Sequence, residues 1–163
     1  MDKEKLEDKI KRLEEELEEA KEKLKRTRER FKPTEGKKYY FLNSYQIECD
    51  CFSPFSDQAK ARYANYNCFE TKEDARREAG RIFIRRRLEA IAKRLNNGEE
   101  INWNNYNQIK YHIMYNFEKA CLDYVSNYKY KNEGCVYCLN KNFVNEAIKE
   151  IGRIELMDYI TND

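Results

Sequence analysis

Glycine, proline and histidine are scarce in this chain, which has five glycines, two prolines and one histidine in 163 residues. None of the glycines belongs to a glycine-rich phosphate-binding loop. The single histidine, His112, falls in a predicted strand, and no nucleophile has a recognisable base beside it in the sequence. We therefore predict that the protein is not an enzyme, that it needs no cofactor and that His112 is structural.

Long hydrophobic runs are also missing. No segment is apolar enough to cross a bilayer, and the first thirty residues, almost all charged or helix-forming, do not resemble a secretory signal. These absences predict a cytoplasmic protein with no membrane partner.

Charged and aromatic residues are abundant instead. Thirty-two Lys and Arg against thirty Asp and Glu give a net charge of +2, and charged residues make up 38% of the chain. Thirteen Tyr, eight Phe and one Trp argue against general disorder. The length predicts one compact domain with an appendage.

The N-terminal segment, residues 1–33, carries a strict heptad repeat. Its apolar or small positions alternate in spacing between four and three: Leu6, Ile10, Leu13, Leu17, Ala20, Leu24, Thr27 and Phe31. This spacing is the seam of a coiled coil. We predict a parallel homodimer through the aliphatic members of the seam, with Pro33 ending the helix. The alternatives are that the helix folds back onto its own domain or docks onto another protein.

The remaining residues, 34–163, change to short strands followed by a long helix, and this order occurs twice. We predict an α+β domain in which two β-β-β-α units, 38–97 and 108–160, pack as one domain. The stretch from Tyr111 to Cys121 aligns without a gap on the stretch from Tyr39 to Cys49, at an offset of 72. Chance similarity of short tyrosine-rich strands is the alternative.

Within the first unit, residues rich in Tyr, Phe and Ile predict strands at 38–43 and 45–51 and a short third strand at 66–70. The Thr71 hydroxyl is placed to cap the next helix, with Asp74 at the third position of a capping-box variant.

That helix is predicted over 72–97, and Gly98 is well placed to end it. In the second unit we predict a strand at 108–116. Asn140 occupies the position equivalent to Thr71 and is predicted to cap a second long helix, at 142–157.

A resemblance to a known group rests on strand ends, caps and helix faces. The residues that carry it are Lys32-Pro33, Gly36 and Tyr39-Tyr40; the run from Asn67 to Ala75; Asn97-Gly98, Trp103 and the run from Gln108 to Tyr111; and Val136-Tyr137 with Ala147-Ile148. At these positions the chain resembles a widespread group of small proteins encoded by phages and prophages of Firmicutes. Relatives of that kind often have a similar charged N-terminal helix, and their last strand usually has an aromatic residue where this chain has Cys138.

The resemblance implies a bacterial host cell as the setting and no shared activity. Such accessory proteins include regulators, DNA-binding proteins and anti-CRISPR proteins, which inhibit bacterial defence nucleases. A function taken from this resemblance is an analogy that the residues themselves must support.

Six cysteines raise the question of zinc, because Cys49-x-Cys51 and Cys135-x-x-Cys138 have the spacing of half-sites. On a strand, however, residues three apart point to opposite faces. We therefore predict reduced thiols and no metal. A structural zinc that also uses Cys68 or Cys121 is the alternative.

The strongest signal is electrostatic. Residues 71–97 carry nine Lys and Arg against four Asp and Glu, and Arg77, Arg81 and Arg85 recur at every fourth position. This spacing predicts an arginine ladder on one helix face. The opposite face is predicted to pack on the sheet through an apolar stripe, which Phe83 and Ile84 help to fill: Ala75, Ala79, Ile82, Leu88, Ile91 and Leu95. Arginine suits phosphate and carboxylate because its planar fork makes paired hydrogen bonds.

Further basic residues complete the predicted partner-binding set. They are Arg86 and Arg87 beside the ladder; Lys25, Arg26, Arg28 and Arg30 at the end of the coiled coil; and Tyr128, Lys129, Tyr130 and Lys131, where rings alternate with cations. Ring and cation alternation is typical of proteins that bind single-stranded nucleic acid. Solvated charge, partly paired along the helix, is the alternative for each group.

Two functional hypotheses follow. The first is a phage-encoded, non-enzymatic accessory protein that binds a host protein or nucleoprotein complex and inhibits a defence nuclease, as anti-CRISPR proteins do. The second is a homodimer that binds DNA or RNA with little sequence preference, in which the arginine ladder neutralises phosphates.

Overall fold

The computed structural model describes residues 9, 12, 13, 17, 31–44, 46–127 and 129–161. Its elements in chain order are β1 (Lys38–Asn43), β2 (Gln46–Cys51), α1 (Asp57–Ala64), α2 (Lys72–Leu95), β3 (Lys110–Asn116), β4 (Cys121–Asn127), α3 (Phe143–Ile151) and α4 (Arg153–Thr161). Over the described residues from 31 to 161, four helices and two antiparallel two-stranded sheets give a mixed α+β fold. The predicted fold class is confirmed at this level.

Little of the predicted coiled coil falls within the described residues. Leu13 and Leu17 are helical, and each is 54% exposed. The dimerisation residues Leu6, Ile10 and Leu24 lie outside the described residues, as do Lys25, Arg26, Arg28 and Arg30. Phe31, the last position of the heptad stripe, is half-buried and packs against the aromatic cluster of the first sheet. Homodimerisation stays a prediction.

The chain divides into two compact units, of which the first ends at Ala75 and the second begins at Arg76. Helix α2 therefore starts in the first unit and runs mostly in the second. The sequence predicts the whole helix as part of the first unit. The difference arises because Leu88, Ile91 and Ala92, three of the four buried apolar residues of α2, belong to the core of the second unit.

In the first unit, β1 and β2 form the two strands that the sequence predicts. Strand alternation turns Tyr39 and Phe41 to the same face, where both are buried with Cys68. The Arg62 guanidinium lies 3.5 Å from the ring centroid of Phe41 and donates to the Tyr39 hydroxyl at 2.9 Å and the Asp50 carboxylate at 3.0 Å.

Two helix starts in the first unit use side-chain caps. Ser56 accepts a hydrogen bond from the Ala59 N–H at 3.2 Å and begins α1, a helix that the sequence analysis did not predict. Thr71 accepts from the Asp74 N–H at 3.1 Å and donates to the Asp74 carboxylate at 2.6 Å. The predicted Thr71 cap is confirmed.

In the second unit, β3 and β4 pair along their full lengths. The core joins Leu88 and Ile91 of α2 to residues of both C-terminal helices, Phe143, Ala147 and Leu156. Each of these five side chains is at least nine-tenths buried. This cluster is the larger of the two cores within the described residues.

The single helix predicted at 142–157 is wrong, because Gly152 divides it into α3 and α4. Gly152 has a φ of 104°, a conformation that a side chain disfavours and that interrupts helical geometry. The predicted cap is also displaced. Asn142 is the N-cap of α3, and the Asn140 side chain accepts from the Asn142 N–H at 2.9 Å.

Each predicted third strand contributes one bridge residue within the described chain. Tyr40 pairs with Phe69 in the first unit, and Tyr111 pairs with Cys138 in the second. If the two bridges are treated as equivalent, Tyr111 corresponds to Tyr40. The two units are then offset by 71 residues at this strand, whereas the sequence alignment has an offset of 72. A shift of one residue exchanges the two faces of a strand. Cys49 and Cys121, which the sequence alignment pairs, therefore do not occupy equivalent positions.

Candidate partner-binding surface

The basic ladder, Arg77, Arg81 and Arg85, follows one side of α2. Arg77 and Arg85 are exposed, whereas Arg81 is half-buried, with its guanidinium 5.8 Å from the ring centroid of Tyr159 in α4. Arg85 pairs with Glu89 at 3.2 Å, and about half of each side chain is exposed. A helix pair of this kind contributes about 0.3–0.5 kcal/mol, so a competing anion can displace Glu89.

The ladder lies beside the core stripe of α2 and not opposite it. Arg81 precedes Ile84 by three residues and Leu88 by seven, which is the spacing of one helix face. Both apolar side chains pack in the core of the second unit. Phe83, predicted to face the sheet, is 57% exposed. Of the predicted apolar stripe, Leu88 and Ile91 are buried as predicted, whereas the placement of Phe83 and the placement of the ladder opposite the stripe are wrong.

Of the arginines that flank the ladder, Arg86 is exposed and Arg87 is half-buried. Arg87 donates to the backbone carbonyl oxygen of Glu150, near the end of α3, where the last carbonyls have no partner within the helix. Arg94 forms ion pairs with Glu146, at 3.4 Å, and with Glu150. The Glu150 carboxylate raises the pKa of Arg94. Arg87 thus bonds within the second unit, and its partner-binding role stays a prediction.

The alternation of rings and cations after β4 is at the surface. Lys129, Tyr130 and Lys131 are exposed, Tyr130 by 74%, and Tyr128 lies outside the described residues. The Lys129 ammonium is 5.8 Å from the ring centroid of Tyr106, which is also exposed. Exposed rings and cations therefore lie together at this surface.

Tyr159 joins the ladder to a cleft that the sequence analysis did not find. Burial raises the pKa of its hydroxyl, and the charges of Arg85 and Arg81 act in the opposite direction. Tyr159 also lines a cleft of about 280 Å³ beside Ile113 of β3. The sequence predicts one helix without the break at Gly152, and such a helix gives the wrong buried face for α4. For this reason Tyr159 was not identified as a site residue.

His112 and Cys135 line the same cleft. His112 is 7% exposed, its ring centroid lies 5.1 Å from that of Tyr137, and its Nδ1 has no hydrogen-bond partner within the described residues. Burial lowers the pKa of His112 and raises that of the Cys135 thiol. Both groups are therefore uncharged at neutral pH, and an uncharged thiol is a poor nucleophile.

All six cysteines are free thiols. Cys49 and Cys51 are exposed, whereas Cys138 is buried and donates to the Asn96 side-chain oxygen at 3.2 Å. Across the ranges that the structure describes, no three His, Cys, Asp or Glu side chains group closely enough to hold a metal ion.

In the described part of the chain, no helix combines the length and the apolar composition that a bilayer span requires. None of the family models, curated proteins and solved structures compared with this chain matches it.

Proposed function

We propose that the protein is a non-enzymatic accessory protein that binds a host protein or nucleoprotein complex through the basic ladder and the adjoining Tyr159. In the phage setting that the sequence resemblance implies, this binding inhibits a bacterial defence nuclease by covering the surface that holds its nucleic acid. The protein acts in the cytoplasm of the host cell and uses no cofactor.

The observation that carries this proposal is the mixed basic and apolar character of one surface. The Arg81 guanidinium lies beside the Tyr159 ring, and that ring borders an apolar cleft. Arginine and aromatic residues are enriched in the centres of protein interfaces, where they supply most of the binding energy. A surface that bound only phosphate groups would need the arginines but would have no use for the apolar cleft beside them.

A nucleic-acid-binding homodimer is the second candidate, and exposed cations favour it. Arg77, Arg85 and Arg86 are exposed on α2, and Lys129 and Lys131 flank an exposed ring. Arginine forks bind phosphate oxygens, and exposed rings stack on unpaired bases.

Two finer features of the architecture belong to the proposal. The first is a parallel coiled coil over residues 1–33, supported by the exposure of Leu13 and Leu17 in the single chain. The second is a relation between the two β-β-β-α units as repeats, supported by the matching bridges of Tyr40 and Tyr111.

The test is capture of partners from a phage-sensitive host by the tagged full-length chain, followed by mass spectrometry. We compare the wild type with R77E/R86E and with the charge-matched control K141E/K149E, whose lysines are exposed in and before α3. We expect wild type and control to capture the same defence nuclease, and R77E/R86E to lose at least about tenfold of it. Equal capture by R77E/R86E, or capture without any defence component, contradicts the proposal.

Salt distinguishes the second candidate. Binding of naked duplex or single strands through phosphates weakens steeply as salt rises, because each contact releases a counterion. No binding at low salt, or binding that R77E/R86E leaves intact, contradicts the nucleic-acid hypothesis.

A further inference from the structure

The two units share a pattern of hydrogen bonds on the outer edge of their first strands. Tyr40 and Phe69 exchange N–H and carbonyl bonds at 2.9 and 2.9 Å, and Tyr111 and Cys138 do so at 2.7 and 2.8 Å. In antiparallel pairing, alternate residues of a strand turn their backbone groups to the same edge. The next outward-facing positions are therefore Leu42 in β1 and Ile113 in β3.

In the first unit, a side chain fills this next position. Asn67 is two residues before the bridge residue Phe69, and its amide oxygen accepts from the Leu42 N–H at 2.7 Å. The same amide donates to the Leu42 carbonyl at 2.8 Å. The carboxamide thus replaces the peptide group of a neighbouring strand and closes the edge.

In the second unit, the equivalent position has no such group. Two residues before the bridge at Cys138 stands Val136, whose side chain cannot form a hydrogen bond. Within the described residues, no hydrogen bond of the outer edge reaches the backbone of Ile113 or of Tyr115, the next outward-facing residue. Two successive backbone positions of β3 are therefore open.

The open edge borders the cleft of about 280 Å³, which lies between β3 and the segment before the bridge. Ile113, Tyr115 and Val136 line it, and Phe143, Tyr159 and Ile160 complete an apolar wall. An unpaired strand edge next to apolar pockets is the arrangement that binds an added strand, because the backbone supplies affinity and alternate side chains fill the pockets.

Charge indicates which strand the cleft accepts. Glu133 is the single charged side chain among the described residues that line it, whereas Arg81 and Arg85 act on Tyr159 from beside its wall. The cleft wall at Tyr159 therefore lies beside the Arg81 guanidinium, 5.8 Å from the ring centroid, and near Arg85, which forms an exposed pair with Glu89. A carboxylate there would gain paired hydrogen bonds from an arginine fork.

We propose that this cleft binds an extended segment of a partner protein, which pairs with the backbone of Ile113 and Tyr115, places apolar side chains in the cleft and directs an acidic residue toward Arg81 and Arg85. This inference rests on the proposed protein-binding function and names the form of the bound segment. In the first unit, the Asn67 carboxamide pairs with the backbone of Leu42 and so completes the equivalent edge.

The test uses a display library of random heptapeptides, selected on the full-length protein. We expect enrichment of peptides with apolar residues at alternate positions and Asp or Glu at one end. Binding of an enriched peptide should fall at least about tenfold when its alternate backbone nitrogens are methylated, because methylation removes the donors that pair with β3.

The decisive variant is V136N. It places an asparagine in the second unit at the position that Asn67 occupies in the first, where the carboxamide closes the strand edge. We expect V136N to protect the Ile113 amide from hydrogen exchange and to abolish peptide binding, while V136T, which lacks a carboxamide, keeps binding. Unchanged core amide exchange in both variants confirms that they fold. R77E/R86E should still bind the peptide, so failure of the ladder and failure of the cleft are distinguishable. No enrichment, or equal binding of enriched peptides by V136N, overturns the inference.

Discussion

The side-chain amide of Asn67 lies against the backbone of Leu42 as a neighbouring strand would, with hydrogen bonds of 2.7 and 2.8 Å. It completes the short sheet of the first unit without a third strand. The second unit has Val136 at the matching place, and among the described residues nothing hydrogen-bonds to the outer edge of β3 at Ile113. The residue at this position, Asn67 in the first unit and Val136 in the second, is therefore the difference on which the proposed strand binding depends.

The bond between Asn67 and Leu42 predicts a measurable loss in N67V. Removing the carboxamide leaves two half-buried backbone groups without their partner, so we expect the free energy of unfolding to fall by about 1–2 kcal/mol. The control is N43A, which removes an exposed bond to Glu48 and should cost less than about 0.5 kcal/mol. Chemical denaturation measures both, and equal losses would contradict the account.

His112 predicts a specific loss of stability in mild acid. Burial lowers its pKa below the ordinary value of 6.5, so the unfolded chain takes up a proton at a pH where the folded chain does not. Stability is therefore full above pH 6.5 and falls as the pH decreases from there toward the lowered folded pKa.

H112F should remove this slope, because the chain has no other histidine. Thermal unfolding between neutral pH and mild acid measures it. A wild type and an H112F variant with the same pH dependence in this window would show that His112 is not responsible.

Two glycines should respond in opposite ways to alanine. Gly152 has a φ of 104° between α3 and α4, where a side chain is strained, so we expect G152A to cost about 1–3 kcal/mol. Gly80 lies within α2 with open space around it, so G80A should stabilise the protein by about 0.5–1 kcal/mol. Thermal unfolding distinguishes them, and a neutral G152A would contradict the assigned helix break.

The coiled-coil proposal predicts a change of mass in solution. Leu13 and Leu17 occupy adjacent seam positions of the heptad and are exposed in the single chain. We expect the wild type to sediment as a dimer and L13E/L17E as a monomer, because charges in the seam lose the apolar burial that holds the helices together. A wild type that sediments as a monomer at all concentrations contradicts the dimer.

Local signals in the sequence predicted the parts of the fold that depend on neighbouring residues. Strands β1 and β2 follow from short runs rich in Tyr, Phe and Ile, and Thr71 caps α2 through a residue three positions away. Helix α1 was missed although Ser56 is a good N-cap, because its residues are too polar to show a helical stripe.

The candidate site depends on longer-range contacts that no local pattern contains. Arg81 and Tyr159 meet because Gly152 redirects the chain between them, and a glycine inside a helical pattern does not reveal its φ. Likewise, Asn67 and Leu42 are 25 residues apart. The sequence identified the arginines but not the ring or the cleft beside them.

The most direct test is amide hydrogen exchange along both outer edges in the free full-length protein, resolved by residue. The account predicts slow exchange at Leu42, whose N–H is bonded to Asn67, and fast exchange at Ile113 and Tyr115 between slower neighbours paired with β4. Fast exchange at Ile113 that becomes slow on addition of the selected peptide would complete the agreement. Slow exchange at Ile113 and Tyr115 in the free protein would contradict the account, because it would show that the edge is already closed.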